Sequence, residues 1–274
     1  NSYAFYQCSK IETISIPINV ISIGTYAFTE SGINSIEIPE KVEQISDYLF
    51  SKCSNLQTVT LHEGLISINS YAFYQCSKLE TISIPISITS IGTYSFSESG
   101  INSIEIPEKV EQISDYLIST CLKLQSVTFL GDITTLKSYC FFRCQKLTSI
   151  LFPESVTSIE TYAFSESGIN SIEFPVNVIE ITPFVCYNCS NLQSVTFLGK
   201  VTTIGKHGMS LTPNLENIEI PETVTFIGQD GVSWSGYRSI VFPAKITYIN
   251  NGMCYNCLNL VSVKILGDIT YISD

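Results

Sequence analysis

The sequence predicts an α/β-type repeat solenoid. Short coils stack so that one strand from each joins a parallel β-sheet, with short 3₁₀ or helical turns on the other side. Three observations predict it. Long blocks of sequence recur at one fixed offset, each block divides into one shorter and two longer units, and apolar residues hold the same places in every unit. Self-similarity of this kind marks chains whose units bury their apolar edges only against their neighbours.

Residues 1–10, NSYAFYQCSK, recur unchanged at 69–78, and SGINSIEIPEKVEQISDYL at 31–49 recurs at 99–117. The units begin at Ile11, Ile33, Leu56, Leu79, Ile101, Leu124, Leu147, Ile169, Leu192, Leu215, Tyr237 and Leu260. The shorter units, such as 11–32, end in Ser-Gly, and the longer ones, such as 33–55, mostly end in Cys-x-x. The common pattern is L-x-x-I-x-I-P-x-x-V-x-x-I-G-x-Y-A-F-x-x-C-x-x, of which residues 79–96, LETISIPISITSIGTYSF, are a clear copy.

Each part of the unit has a structural meaning. The I-x-I alternation predicts a strand with two side chains inward and the intervening ones outward. The Pro that follows, as at Pro17, Pro39 and Pro85, has no N–H and ends the ladder. V-x-x-I-G predicts a second short extended piece. Y-A-F-x-x-C is too short for a longer helix and predicts a single helical or 3₁₀ turn. The in-phase starts predict one continuous parallel ladder through about eleven coils, roughly 50 Å long at about 4.8 Å per strand. A single solenoid over residues 1–274 is expected. Both ends fall inside a unit, so a fragment of a longer array is expected too, its end coils prone to fraying or weak end-to-end association.

Composition narrows the function. The chain is 45% hydrophobic and 14% charged, so uncharged polar residues must cover much of its surface. A net charge of −11 without any basic run disfavours nucleic acid as a partner. No apolar stretch reaches the roughly 20 residues of a membrane span, and Asn1 opens in mid-pattern without a leader-like segment.

The in-phase I-P pairs, the I-G-x-Y-A-F segments such as Ile23-Gly24-Thr25-Tyr26-Ala27-Phe28, and the turn cysteine resemble the BspA-like (Treponema-type) leucine-rich repeat over essentially the whole chain. The resemblance implies a curved leucine-rich repeat array with its parallel sheet on the concave face. It also implies a place at the cell surface or secreted, in a family associated with adhesion to host matrix proteins, host cells or other microbes. It brings no catalytic motif and no shared ligand-binding residues. The last coils depart from the pattern, with Gly208-Met209, Gly231-Val232 and Met253-Cys254 in place of Ala-Phe, and with the single Trp234.

Ten cysteines invite a metal reading. Cys186-Tyr-Asn-Cys189 and Cys254-Tyr-Asn-Cys257 look like halves of a zinc ribbon, but they lie one full block apart. At that offset they occupy one place three coils apart, roughly 14 Å, beyond the reach of one zinc ion. They coincide with the positions of Phe28 and Cys53, and so are expected to be buried thiols that pack as small hydrophobes, with neither metal nor cofactor. A disulfide between Cys53 and Cys76, one coil apart, is geometrically conceivable. His62 and His207 have no nucleophile at a recognisable spacing and are expected to be exposed spectators. Gly24 and Gly92 lack a phosphate-loop context, and their recurrence points to backbone geometry. Asn188-Cys189-Ser190 is a glycosylation sequon whose central residue should be buried.

The outward strand positions are the third and fifth of each unit. They place Thr13, Ser15, Thr58, Thr60, Thr81, Ser83, Ser126 and Thr128 on one face, with Glu37, Glu105 and Glu173 recurring once per block. These eleven residues are the candidate ligand-binding surface. It is weakly acidic and lacks the aromatic and Arg residues usual in binding hot spots, so many weak contacts are expected. The sequence thus predicts a non-catalytic adhesion or interaction module whose partners are extracellular or host proteins, with glycans as a further class. A structural spacer that displays another domain at the cell surface is the alternative.

Overall fold

The computed structural model describes residues 2–273 and divides into two compact units, Asn1–Ile133 and Thr134–Asp274. Each is a stack of coils joined by parallel strand pairs. In the first, Ser35–Glu37 pairs with Thr58–Thr60, and Ser103–Ile106 with Ser126–Phe129, both parallel and one coil apart. The V-x-x-I segments give a second strip, in which Gln44–Ile45, Ser67–Ile68 and Ser90–Ile91 form a three-stranded parallel sheet. The second unit repeats this plan, with Ser171–Phe174 on Ser194–Phe197 and Ser239–Phe242 on Ser262–Ile265. Its second strip runs through Glu180–Ile181, Thr203–Ile204 and Phe226–Ile227.

Equal positions stack into ladders because every coil presents the same apolar side chains. Leu56, Leu79, Ile101 and Leu124 are fully buried. The rings of Phe28, Phe50, Phe73 and Phe96 lie 5.3 to 5.7 Å apart and nearly parallel. The cysteines join this core: Cys53, Cys76 and Cys121 are buried, and their thiols donate to the carbonyls of Phe28, Phe50 and Phe96 at 2.9 to 3.1 Å.

The strand ladder is not continuous as expected. In the first unit, residues 79–85 of the short coil lie outside any strand, so the I-x-I strands pair two by two, with one further parallel bridge from Thr13 of the first coil to Ser35. Residues 215–221 do the same in the second unit. The break falls at these shorter coils. The closing Ser-Gly folds directly onto the coil before it, where Gly100 N–H donates to Cys76 O at 3.0 Å. The strand positions about the break are less covered: Val59, Leu61, Ile82 and Ile84 are half-buried where Ile36, Ile38, Ile104 and Ile106 are buried.

The Y-A-F-x-x-C segments are not helical; no α- or 3₁₀-helix occurs among the described residues. They are tandem β-turns. In residues 24–31, Ala27, Thr29 and Ser31 donate to the carbonyls of Gly24, Tyr26 and Phe28, closing turns within the coil. The alternate N–H groups of Tyr26, Phe28 and Glu30 instead donate to Asp47, Leu49 and Ser51 of the next coil. A 3₁₀ turn would send every N–H to the residue three before it. The alternation requires a left-handed backbone at Tyr26 (φ 59°) and Glu30 (φ 59°), and the same is found at Tyr48, Lys52, Tyr71 and Gln75. An L-residue loses about 1–2 kcal/mol in that region. A net hydrogen bond of about 0.5–1.5 kcal/mol and ring stacking of similar size offset the loss.

Close approach of the short coil to its neighbour makes Gly100 obligatory. A Cβ there would lie 2.3 Å from the Ser77 carbonyl oxygen. Gly100→Ala should therefore lower stability by about 1–3 kcal/mol, read from the denaturant midpoint. Ser83→Ala on the exposed face should stay within about 0.5 kcal/mol.

Candidate functional site

All eleven outward residues predicted for the strand face are exposed. Register places several side by side: Glu37 beside Thr60, Glu105 beside Thr128, and Ser103 beside Ser126. Thr13 and Ser15 precede them in the first coil, while Thr81 and Ser83 lie on the unladdered short coil. Glu173 lies in the second unit, beside Thr196. The face offers hydroxyls that both donate and accept, and carboxylates that only accept.

One part of this face is more than a flat ladder. A groove of about 520 Å³ runs over the first strand segments, with Ile16, Pro17 and Pro39 along it and Glu37, Glu40 and His62 beside them. His62 is not an exposed spectator. Its side chain is 27% exposed and its Nε2 lies 3.4 Å from Glu37 Oε1. The equivalent positions beside Glu105 and Glu173 hold Leu130 and Leu198, both exposed. Glu37 therefore differs from its repeats in having an ionisable neighbour, which a third- and fifth-position pattern cannot reveal.

A second face escaped the sequence analysis. The left-handed Tyr of each turn stacks on that of the next coil. In the first unit Tyr26, Tyr48, Tyr71, Tyr94 and Tyr116 follow one another with centroids 4.4 to 4.7 Å apart and planes within 11°. Their faces cover one another, and the row remains half-buried. Burial, reinforced by neighbouring phenols, pushes Tyr26 and Tyr48 above the ordinary phenol range. Tyr74 stands edge-on to Tyr71 and Tyr94, and its OH donates to Glu98 Oε1 at 2.9 Å; burial and this bond push it up to about 12. The identical spacing of Tyr in I-G-x-Y was the signal for this row, but alternation rules assign an outward turn residue no partner.

In the second unit the row runs Tyr139, Tyr162, Phe184 and then His207, with centroids 4.4 to 4.8 Å apart. His207 Nε2 lies 3.7 Å from Asp230 Oδ2, and its Nδ1 lies 3.3 Å from the buried Ser210 hydroxyl. The arrangement superficially looks like a Ser-His-Asp set. Ser210 is shut away from solvent and cannot reach a substrate, so the contacts are structural. Cys186 and Cys189 are buried, and Cys254 and Cys257 half-buried. Among the described residues no three His, Cys, Asp or Glu side chains gather as metal ligands would, and no helix is long and apolar enough to cross a membrane. The sequon encloses the buried Cys189 between the exposed Asn188 and Ser190.

Comparison with known proteins agrees with this geometry. The family model described as BspA type leucine-rich repeat region matches in six copies, over residues 1–125, 111–235 and 169–274. A leucine-rich repeat protein from Bacteroides ovatus is similar in structure, with a TM-score of 0.60 at 22% identity, covering 88% of this chain and 75% of that one. A leucine-rich cell surface protein from Faecalibacterium prausnitzii gives a TM-score of 0.52 at 23% identity, covering 89% and 83%. At these identities the likeness is one of fold. No curated protein matches the chain.

The His207 environment has a pH consequence. Burial lowers its affinity for a proton, Asp230 opposes this, and Lys206 adds to it, leaving the group below its ordinary value of 6.5. The unfolded chain then binds the proton more readily. The stability that His207 contributes is present above 6.5 and is lost as pH falls through the folded value. Unfolding midpoints measured from about pH 7.5 to pH 5 should fall less steeply in His207→Phe, which continues the ring row without a titrating group.

Proposed function

The chain belongs to the BspA-type leucine-rich repeat family, and from that membership we propose that it is a non-catalytic interaction module of the cell surface or extracellular space, adhering to host matrix proteins, host cells or other microbes through its strand face. The observation that carries the proposal is the shared exposure of Thr13, Ser15, Glu37, Thr58, Thr60, Thr81, Ser83, Glu105, Ser126, Thr128 and Glu173. Few structural demands act on these side chains, so their chemistry is free to serve contact. A partner that fits is an extended polypeptide with basic groups, or a glycan whose hydroxyls match the Ser and Thr rows. The Glu37–His62 groove adds the apolar surface of Ile16, Pro17 and Pro39 to these polar rows. The cell-surface description of the Faecalibacterium protein supports the location.

Exposed ion pairs contribute about 0–1 kcal/mol each and are screened by salt. Glu37→Gln/Glu105→Gln/Glu173→Gln should therefore weaken attachment to immobilised matrix proteins or cells by about 3- to 30-fold at low ionic strength. The parent's attachment should itself weaken as salt rises, and the variant's unfolding midpoint should match the parent's. Equal binding by parent and variant would remove these carboxylates from the contact surface, and no binding by the parent at any salt would leave the spacer role.

A further inference from the structure

The turn that carries the cysteines seats two side chains, three residues apart, in the interior of every coil. Phe50 and Cys53, Phe73 and Cys76, and Phe141 and Cys144 are all fully buried. The same turn bond closes each pair, as when Cys53 N–H donates to Phe50 O at 3.0 Å. Only the coils at 169–191 and 237–259 put Cys at both places. There Cys189 N–H donates to Cys186 O, and Cys257 N–H to Cys254 O, both at 3.3 Å. A β-turn of this kind holds its end Cα atoms within about 7 Å. A disulfide spans Cα separations of about 4.4–6.8 Å.

We propose that Cys186/Cys189 and Cys254/Cys257 are two disulfide-forming sites, each closing within its own turn by exchange with a low-molecular-weight disulfide. The other six cysteines have no cysteine at the partner place of their own turn. The thiols of Cys53 and Cys76 donate to carbonyls of the preceding coil, as do those of Cys189 and Cys257, so an in-turn bond gives up one such contact where a Cys53–Cys76 bond gives up two. In the first site, a hydrogen bond with Cys189 and burial hold Cys186 well above the usual thiol range. Burial pushes Cys189 up as well, but hydrogen bonds from Cys186 and from Ser167, 3.6 Å away, bring it below the ordinary value. Both sulfurs are buried in the folded protein, so this bond forms while the chain is folding.

The exchange balances without any other reactant. One cysteine of the pair, as its thiolate, attacks one sulfur of the external disulfide and displaces a thiolate, which takes up a proton. Its partner then gives up its proton and attacks the protein sulfur of the mixed disulfide, displacing the second thiol. The protein loses two hydrogens per site, and the external disulfide becomes two thiols. The Cys254/Cys257 pair is only half-buried and reacts first in the folded protein.

The test is to refold the whole chain in a mixture of reduced and oxidised glutathione, quench it with acid, alkylate under denaturing conditions, and map the peptides. The expected result is loss of four hydrogens, with Cys186, Cys189, Cys254 and Cys257 protected and the other six cysteines alkylated. Cys186→Ser should abolish the first bond and leave the second, and Cys254→Ser the reverse. In the already folded protein, the Cys254–Cys257 bond should appear before the other. Alkylation of these four to the same extent as the other six, or a Cys53–Cys76 bond in their place, would overturn the assignment.

Discussion

Half of the amides in each turn strip close turns within their own coil, and half bind the next one. That division governs the rest of the structure. It forces Tyr26, Tyr48 and Tyr71 into a left-handed backbone, and it fixes coil spacing at a distance where aromatic rings stack face to face. It also turns the Phe and Cys positions inward together, building the core ladders. The strand strip depends less strongly on such bonding, since it survives being left unpaired at the coils that contain residues 79–85 and 215–221.

The sequence revealed the solenoid, the coil boundaries and the exposed strand face, because each rests on periodicity. Ile36 in and Glu37 out follow from alternation alone, and the burial of Phe73 and Cys76 follows from the in-phase recurrence of those positions. The turn conformation was hidden for a chemical reason. Positive φ is usually signalled by Gly or Asn, whereas here Tyr, Glu, Lys and Gln adopt it under compulsion from the neighbouring coil. The apolar spacing of Tyr26, Ala27 and Phe28 instead imitates a helical turn. The broken strand ladder was hidden because a slightly shortened coil still matches the pattern at every apolar position. His62 and His207 were misjudged because their partners, Glu37 and Asp230, belong to different coils.

The two faces carry different burdens. On the turn face nearly every side chain has a counterpart in the next coil: Tyr on Tyr, Gln75 on Glu98, Arg143 on Glu166. A substitution there is felt along the row. On the strand face Thr81 and Ser83 take part in no strand at all, and Glu105 and Glu173 project into water. Surface chemistry can change there while stacking is preserved, which suits a scaffold whose contacts diversify and whose frame does not.

The bonds that the alternate amides of the turn strip make between coils point one way. Tyr48, Phe50 and Lys52 donate to carbonyls of the following coil, as do Tyr71, Phe73 and Gln75, and in the second unit Tyr162, Phe164 and Glu166 do the same. Three aligned peptide dipoles per coil therefore add along the stacking direction, as they do in an α-helix. Within each unit the turn strip acts as a macrodipole, positive toward the later coils and negative toward the earlier ones. A fold without a single helix among its described residues thus acquires the axial electrical polarity that helices are known for, and it does so along the row of tyrosines.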